Sequence, residues 1–190
     1  IPVLPTVHYN MGGIPTNYRT EVLSPSQKNP NKICEGLMAI GEAACVSVHG
    51  ANRLGTNSLI DLLVFGKSAS NVAKEKVKPN SAAIKINSNS TEEVLGRFDK
   101  LRYSSGDTKT GELRTSMQHI MQKNCAVFRT QKIISAGIEN FKKIETSLDN
   151  LNIEDKSLIF NTDLMEALEL QNLIAQSKVT LYSALNRTES

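Results

Sequence analysis

A chain of 190 residues is long enough for one sizeable domain or two small ones. Its net charge of +3 is mild, its lysines are scattered, and aromatics make up only 5% with no Trp, so a nucleic-acid surface has little support. Three cysteines, Cys34, Cys45 and Cys125, form no C-x-x-C pair and leave an odd one, which fits a reducing compartment better than a disulfide scaffold.

The chain opens with Ile1-Pro2-Val3-Leu4-Pro5, not with a basic segment and an apolar core, so no signal peptide is read there. His8-Tyr9-Asn10-Met11-Gly12-Gly13-Ile14 follows, an imidazole beside paired glycines. Gly36-Leu37-Met38-Ala39-Ile40-Gly41-Glu42 reads as a buried strand ending in an acid. Next, His49-Gly50-Ala51-Asn52-Arg53-Leu54-Gly55 leads into a helix that Asn57 or Ser58 can cap, with Leu59, Leu62, Leu63 and Val64 on a broad apolar face. That apolar run, Leu59 to Phe65, is far too short to span a bilayer and is interrupted by Asp61, so the chain reads as soluble or at most peripheral.

Composition changes near residue 79. Five of the six prolines lie in residues 1–78, whereas residues 91–190 contain none. Residues 79–90 read as an exposed connector. The later part has helical spacing throughout. Ser90-Thr91-Glu92-Glu93 is a capping box opening a helix to about Tyr103, with Gly106 just beyond it. A second helix is expected over Gly111 to Asn124 and a third over Arg129 to Asp149. Asp163-Leu164-Met165-Glu166, another capping box, opens a long fourth helix carrying Leu170, Leu173, Ile174, Leu181, Ala184 and Leu185. These stripes are core positions and contain no cofactor box. The expected architecture is therefore an α+β chain, mainly α, with an irregular front part (1–78) and a helical bundle (91–190).

Taken singly, His8 reads as structural and Arg53 as a surface cation. Arg53 before a helix start gains weight, because that end of a helix favours anions and a guanidinium matches a carboxylate bidentately. Gly12, Gly13 and Gly55 allow backbone to approach a flat ring or substrate closely. On residue chemistry alone this supports an anion site near a bound planar group. Metal ligands in a recognisable spacing are not read.

The wording of these segments is more specific than their chemistry. His8-Tyr9-x-Met11-Gly12-Gly13-Ile14 and His49-Gly50-Ala51-Asn52-Arg53-Leu54-Gly55-x-Asn57-Ser58-Leu59 resemble the flavoprotein subunit of succinate dehydrogenase and fumarate reductase. Gly36-Leu37-x-Ala39-x-Gly41-Glu42 and Val64-Phe65-Gly66 lie in that family's order, as do Leu113-Arg114-x-x-Met117-Gln118 and Val127-Phe128-Arg129 of its helical domain. The resemblance covers essentially the whole chain. It implies that residues 1–78 are the C-terminal portion of an incomplete FAD-binding domain. It further implies that His8 and Arg53 hold a carboxylate of succinate or fumarate, that Glu42 bonds a hydroxyl of the FAD ribityl chain, and that the backbone of Ser58 and Leu59 contacts the flavin ring. His49 has a match too, and packing or a backbone hydrogen bond is its expected job.

The resemblance also implies oxidation of succinate to fumarate by hydride transfer to FAD. Electrons would pass through an iron–sulfur subunit, held by membrane anchor subunits, to quinone. The expected location is peripheral, on the cytoplasmic face of a bacterial inner membrane or the matrix face of the mitochondrial one. Ile14-Pro15-Thr16-Asn17 favours the dehydrogenase over its nearest rival, the fumarate reductase flavoprotein, and L-aspartate oxidase is a weaker rival. A different class of reading is a non-catalytic helical interaction module. No G-x-G-x-x-G follows an N-terminal strand, and the family's flavin-linking histidine and proton-shuttle arginine have no match here. No catalytic residue is therefore assigned within the chain. The sequence is expected to be an internal piece of a longer polypeptide that alone is inactive and does not retain FAD.

Overall fold

The computed structural model describes residue 2 and residues 11–50, 52–82 and 85–188. The architecture is α+β and mainly α, in two compact units, one holding described residues 11–82 and the other residue 2 with residues 85–188.

The first unit is built from four short strands, a 3-10 turn and one helix. β1 (Ile14–Pro15) pairs in parallel with β4 (Ala44–Cys45), while β2 (Glu21–Leu23) pairs antiparallel with β3 (Ile33–Met38). Asn17 shapes the turn between β1 and β2, because its Oδ1 accepts from the amides of Arg19 and Glu21 at 2.9 and 3.1 Å. This local bonding supports the left-handed Thr20 (φ 68°), a conformation that β-branched residues rarely adopt. Gly36–Glu42 departs from the expected buried strand. The strand stops at Met38, its central residues are exposed, and Glu42 sits in the 3-10 turn Gly41–Ala43. Two features explain this. The only strand paired with β3 among the described residues is β2, and Gly36 and Gly41 both take positive φ, which breaks an extended run.

α1 (Asn57–Lys76) follows. Neither Asn57 nor Ser58 caps it. The N-cap is Thr56, whose backbone is itself near-helical (φ −92°, ψ −11°) and whose side chain makes no cap hydrogen bond. Backbone bonds close this turn instead, from Asn57 N to Leu54 O at 3.1 Å and from Leu59 N to Thr56 O at 3.2 Å. The face expected to be core is largely open, with Leu59 66% and Leu63 76% exposed. The buried residues of α1 are Asp61 and Val72, since a few short strands give one helix little to pack against.

The last turn of α1 is tied to the β1–β2 turn through Glu21, which is 6% exposed. Lys76 Nζ lies 2.6 Å from Glu21 Oε1 and Asn17 Nδ2 donates to Oε2 at 2.9 Å, while Arg19 reaches Glu75 at 2.6 Å. The Lys76 hydrogen bond, followed by that of Asn17, holds the Glu21 carboxyl below the usual glutamate range. A depressed folded pKa gives stability that is complete above the unfolded value, about 4.3, and is lost as pH falls through the folded value. Hydrogen-exchange protection of residues 16–23 is therefore expected to drop in acid. Glu21→Gln should lower protection at pH 7 by about 1.5–3 kcal/mol and flatten its pH dependence. A Gln variant with wild-type protection at pH 7 would show that the tether contributes nothing.

The second unit is the helical bundle: α2 (Ser88–Arg102), α3 (Thr110–Asn124), α4 (Gln131–Leu148) and α5 (Thr162–Asn186), with β5 (Thr108–Lys109) pairing in parallel with β6 (Leu151–Asn152). Leu113, Met117, Ile138, Phe141, Ile144, Leu151, Leu164, Leu170, Ile174 and Leu181 form one core between α3, α4 and α5. Two caps differ from expectation. Asn87 caps α2 by accepting from Asn89 N, so the helix starts before Ser90, and Asn161 caps α5 by accepting from Leu164 N at 2.8 Å. Asp163 instead accepts from the amides of Glu154 and Asp155, which ties down the preceding loop. Beyond α2, Gly106 is required for close approach, because a Cβ there would collide with the Asn150 carbonyl.

Candidate functional site

Among the described residues, those singled out by the sequence, Glu42, Arg53, Ser58 and Leu59, fall in the first unit. Arg53 is half-buried in the segment before the helix, and its NH1 donates to the carbonyl of Gly55 at 2.9 Å. The guanidinium is thereby fastened across its own turn. Ser58 and Leu59 are the second and third residues of α1, and no acidic residue occupies the helix's first turn. The first turn therefore has neither a side-chain cap nor an acidic side chain to set against the positive end of the helix dipole. An arginine beside such a helix start is an arrangement whose chemistry suits a negatively charged or strongly accepting group.

Glu42 is exposed on the 3-10 turn, and that turn packs on α1. Gly41, buried with φ 67°, lies so close to Leu62 that an added Cβ would strike its Cδ2. Gly13 (φ 116°) comes equally close to the other side of the turn, where a Cβ would stand 2.8 Å from Ala43 O. The glycine pair, the Glu42 turn and the start of α1 are thus one connected neighbourhood. His8 lies outside the described residues.

A cleft of about 170 Å³ opens beside this neighbourhood, lined among others by Met11, Ile40, Val46, His49, Asp61 and Phe65. His49 lines the cleft with its Nε2 4.0 Å from Asp61 Oδ2, the two side chains being 14% and 7% exposed. Asp61 is the residue that sequence reasoning passed over. Its signal was present: a carboxylate interrupting the apolar run Leu59–Phe65. No group of three potential metal ligands converges among the described residues.

Comparison with known proteins identifies what the chain is similar to. Residues 1–59 match the family described as FAD binding domain, and residues 114–190 match the one described as Fumarate reductase flavoprotein C-term. The chain is 55% identical over its whole length to the succinate dehydrogenase flavoprotein subunit of Rickettsia conorii, of which it covers 32%. It is 48% identical, again over its whole length, to the mitochondrial succinate dehydrogenase [ubiquinone] flavoprotein subunit of Oryza sativa, of which it covers 30%. Among solved structures, E. coli quinol fumarate reductase superposes with a TM-score of 0.85 at 32% identity, over all of this chain and 31% of that one. The chain thus spans about a third of the length of the relatives it matches. No helix among the described residues is long and apolar enough to cross a membrane.

Proposed function

Because the chain belongs to the succinate dehydrogenase and fumarate reductase flavoprotein family, we propose that these residues serve a flavoprotein that oxidises succinate to fumarate. The observation that carries this reading is Arg53, fastened by Gly55 at an α1 start with no side-chain cap. Arg53 and His8 hold one carboxylate of the substrate. Glu42, exposed on its turn, accepts a hydrogen bond from a ribityl hydroxyl, and the backbone of Ser58 and Leu59 contacts the flavin ring.

The described residues fit FAD in two respects: a helix start with no acidic side chain suits the ring edge that gathers negative charge, and Gly13 permits close backbone packing next to Glu42. FAD supplies the hydride acceptor. What these residues add is position, by fixing the dicarboxylate through charge-assisted, planar contacts. Electrons then leave through an iron–sulfur subunit, with membrane anchor subunits, to quinone, and the assembly sits peripherally on the inner membrane. The dehydrogenase is favoured over the reductase by identity, 55% to the Rickettsia conorii dehydrogenase subunit against 36% to the Proteus vulgaris fumarate reductase flavoprotein subunit.

The test has two arms. A full-length, FAD-loaded flavoprotein carrying these residues should reduce a dye with succinate and be competed by malonate. The 190-residue chain alone, given excess FAD, should hold flavin weakly and show no turnover. Its sequence offers no phosphate-binding glycine motif, and isolated flavin contacts do not offset the cost of association. No succinate oxidation by the loaded full-length protein would sink the reading. Stoichiometric flavin with turnover in the short chain would show that contacts outside these residues matter little.

A further inference from the structure

Asp61 is a carboxylate that the proposed substrate and flavin contacts leave without a task, in a setting that is costly for a charge. It lies on α1, 7% exposed, in a cleft whose lining includes Ile40, Val46 and Phe65. An ionised carboxylate removed from water is expensive unless a charged or hydrogen-bonding group compensates it. The residue facing it is His49, at an ion-pair separation of 4.0 Å.

His49 stands four residues before Arg53, in a segment whose Ser47 (φ 65°) and Gly50 (φ 61°) are both left-handed. For Ser47 that conformation persists only where the surroundings over-determine it. The segment that delivers Arg53 thus meets α1 and its start at two points: His49 Nε2 4.0 Å from Asp61 Oδ2, and Arg53 NH1 hydrogen-bonded to Gly55 O at 2.9 Å. Asp61 is one helical turn beyond Asn57, the first residue of α1, so the first point bears on the same helix end that Arg53 flanks.

We propose that Asp61 is a positioning residue, which through His49 seats the 47–53 segment on α1 and so sets where the Arg53 guanidinium stands. This rests on the reading that Arg53 holds a substrate carboxylate. Sub-ångström placement is what such a contact requires, since a shift of about 1 Å can cost on the order of 100-fold in rate. A pair that served only as glue would affect folding and flavin content without acting through Arg53.

The experiment uses the full-length, FAD-loaded flavoprotein, with malonate titrated against the flavin absorbance and KM for succinate measured alongside. Asp61→Asn keeps the shape and removes the charge. It is expected to weaken malonate binding and raise KM by about tenfold, with FAD per chain unchanged. Combined with Arg53→Lys it should do no further harm, because the two changes act on one contact and their losses do not add. His49→Phe should behave as Asp61→Asn does, and carries the same comparison if the Asn variant fails to take up FAD. His49→Gln, which keeps a polar N–H donor on a side chain of similar reach, should recover most of the affinity. Wild-type malonate affinity in Asp61→Asn overturns the proposal, and so does full additivity with Arg53→Lys. If Arg53→Lys weakens malonate but neither Asp61→Asn nor His49→Phe does, only the positioning role falls. If Arg53→Lys leaves malonate binding intact, the assignment of Arg53 falls and this inference with it.

Discussion

Replacing Arg53 by Lys is expected to lower succinate turnover per unit substrate by about 10- to 100-fold in the full-length flavoprotein. That is the loss of one aligned, charge-assisted contact, about 1.5–3 kcal/mol. Charge is kept in this variant, so geometry alone is at issue. The guanidinium is planar, and NH1 on the Gly55 carbonyl fixes that plane at 2.9 Å. An ammonium has no plane to fix, and its shorter reach must choose between the turn and the ligand. The effect should appear in KM for succinate and in malonate binding, with flavin content unchanged. Unchanged KM and turnover would remove Arg53 from the substrate site.

Leu170→Ala is expected to produce the largest loss of stability, about 2–5 kcal/mol in the helical unit. Leu170 is 0% exposed in the shared core of α3, α4 and α5, where its removal leaves a cavity the three packed helices cannot readily close. Leu173→Ala, one turn along the same helix and 37% exposed, serves as the control and should cost much less. Urea unfolding followed by helical circular dichroism gives both values. Equal midpoints for the two variants would mean that α5 is not packed as described.

The contrast between these residues marks what could be read in advance. α3 and α4 follow their apolar stripes so closely that their bounds fall within two residues of expectation, because a 3.6-residue period over four or more turns has one reading. Caps were harder. Asn87 and Ser90, or Asn161 and Asp163, offer rival acceptors within three residues, and only backbone geometry decides which one meets an amide. The two-residue strands β5 and β6 carry no period at all, and their pairing joins Thr108 to Leu151 across α3 and α4. In α1 the apolar face was legible, but its exposure was not, since burial depends on what stands opposite.

The site divides in the same way. Arg53, Ser58 and Leu59 share one short stretch, so their common place at the α1 start followed from chain order. The nearness of the Glu42 turn to that helix depends on Gly41 fitting against Leu62, a contact between segments. The facing of His49 and Asp61 spans an intervening turn with two left-handed residues, and no linear spacing encodes that.

The start of α1 has a consequence for how stability and activity trade against each other. Threonine at the N-cap is ordinarily an asset, and side-chain caps hold α2, α4 and α5 at Asn87, Thr130 and Asn161. At Thr56 the backbone is turned so that the hydroxyl does not take that part, which forgoes about 1 kcal/mol of local stability. The Leu59 amide turns to the Thr56 carbonyl instead, so a ligand arriving there meets a backbone bond but no resident side chain to displace. A chain selected only for firmness would cap that end with a side chain; this one forgoes the cap and accepts a looser helix.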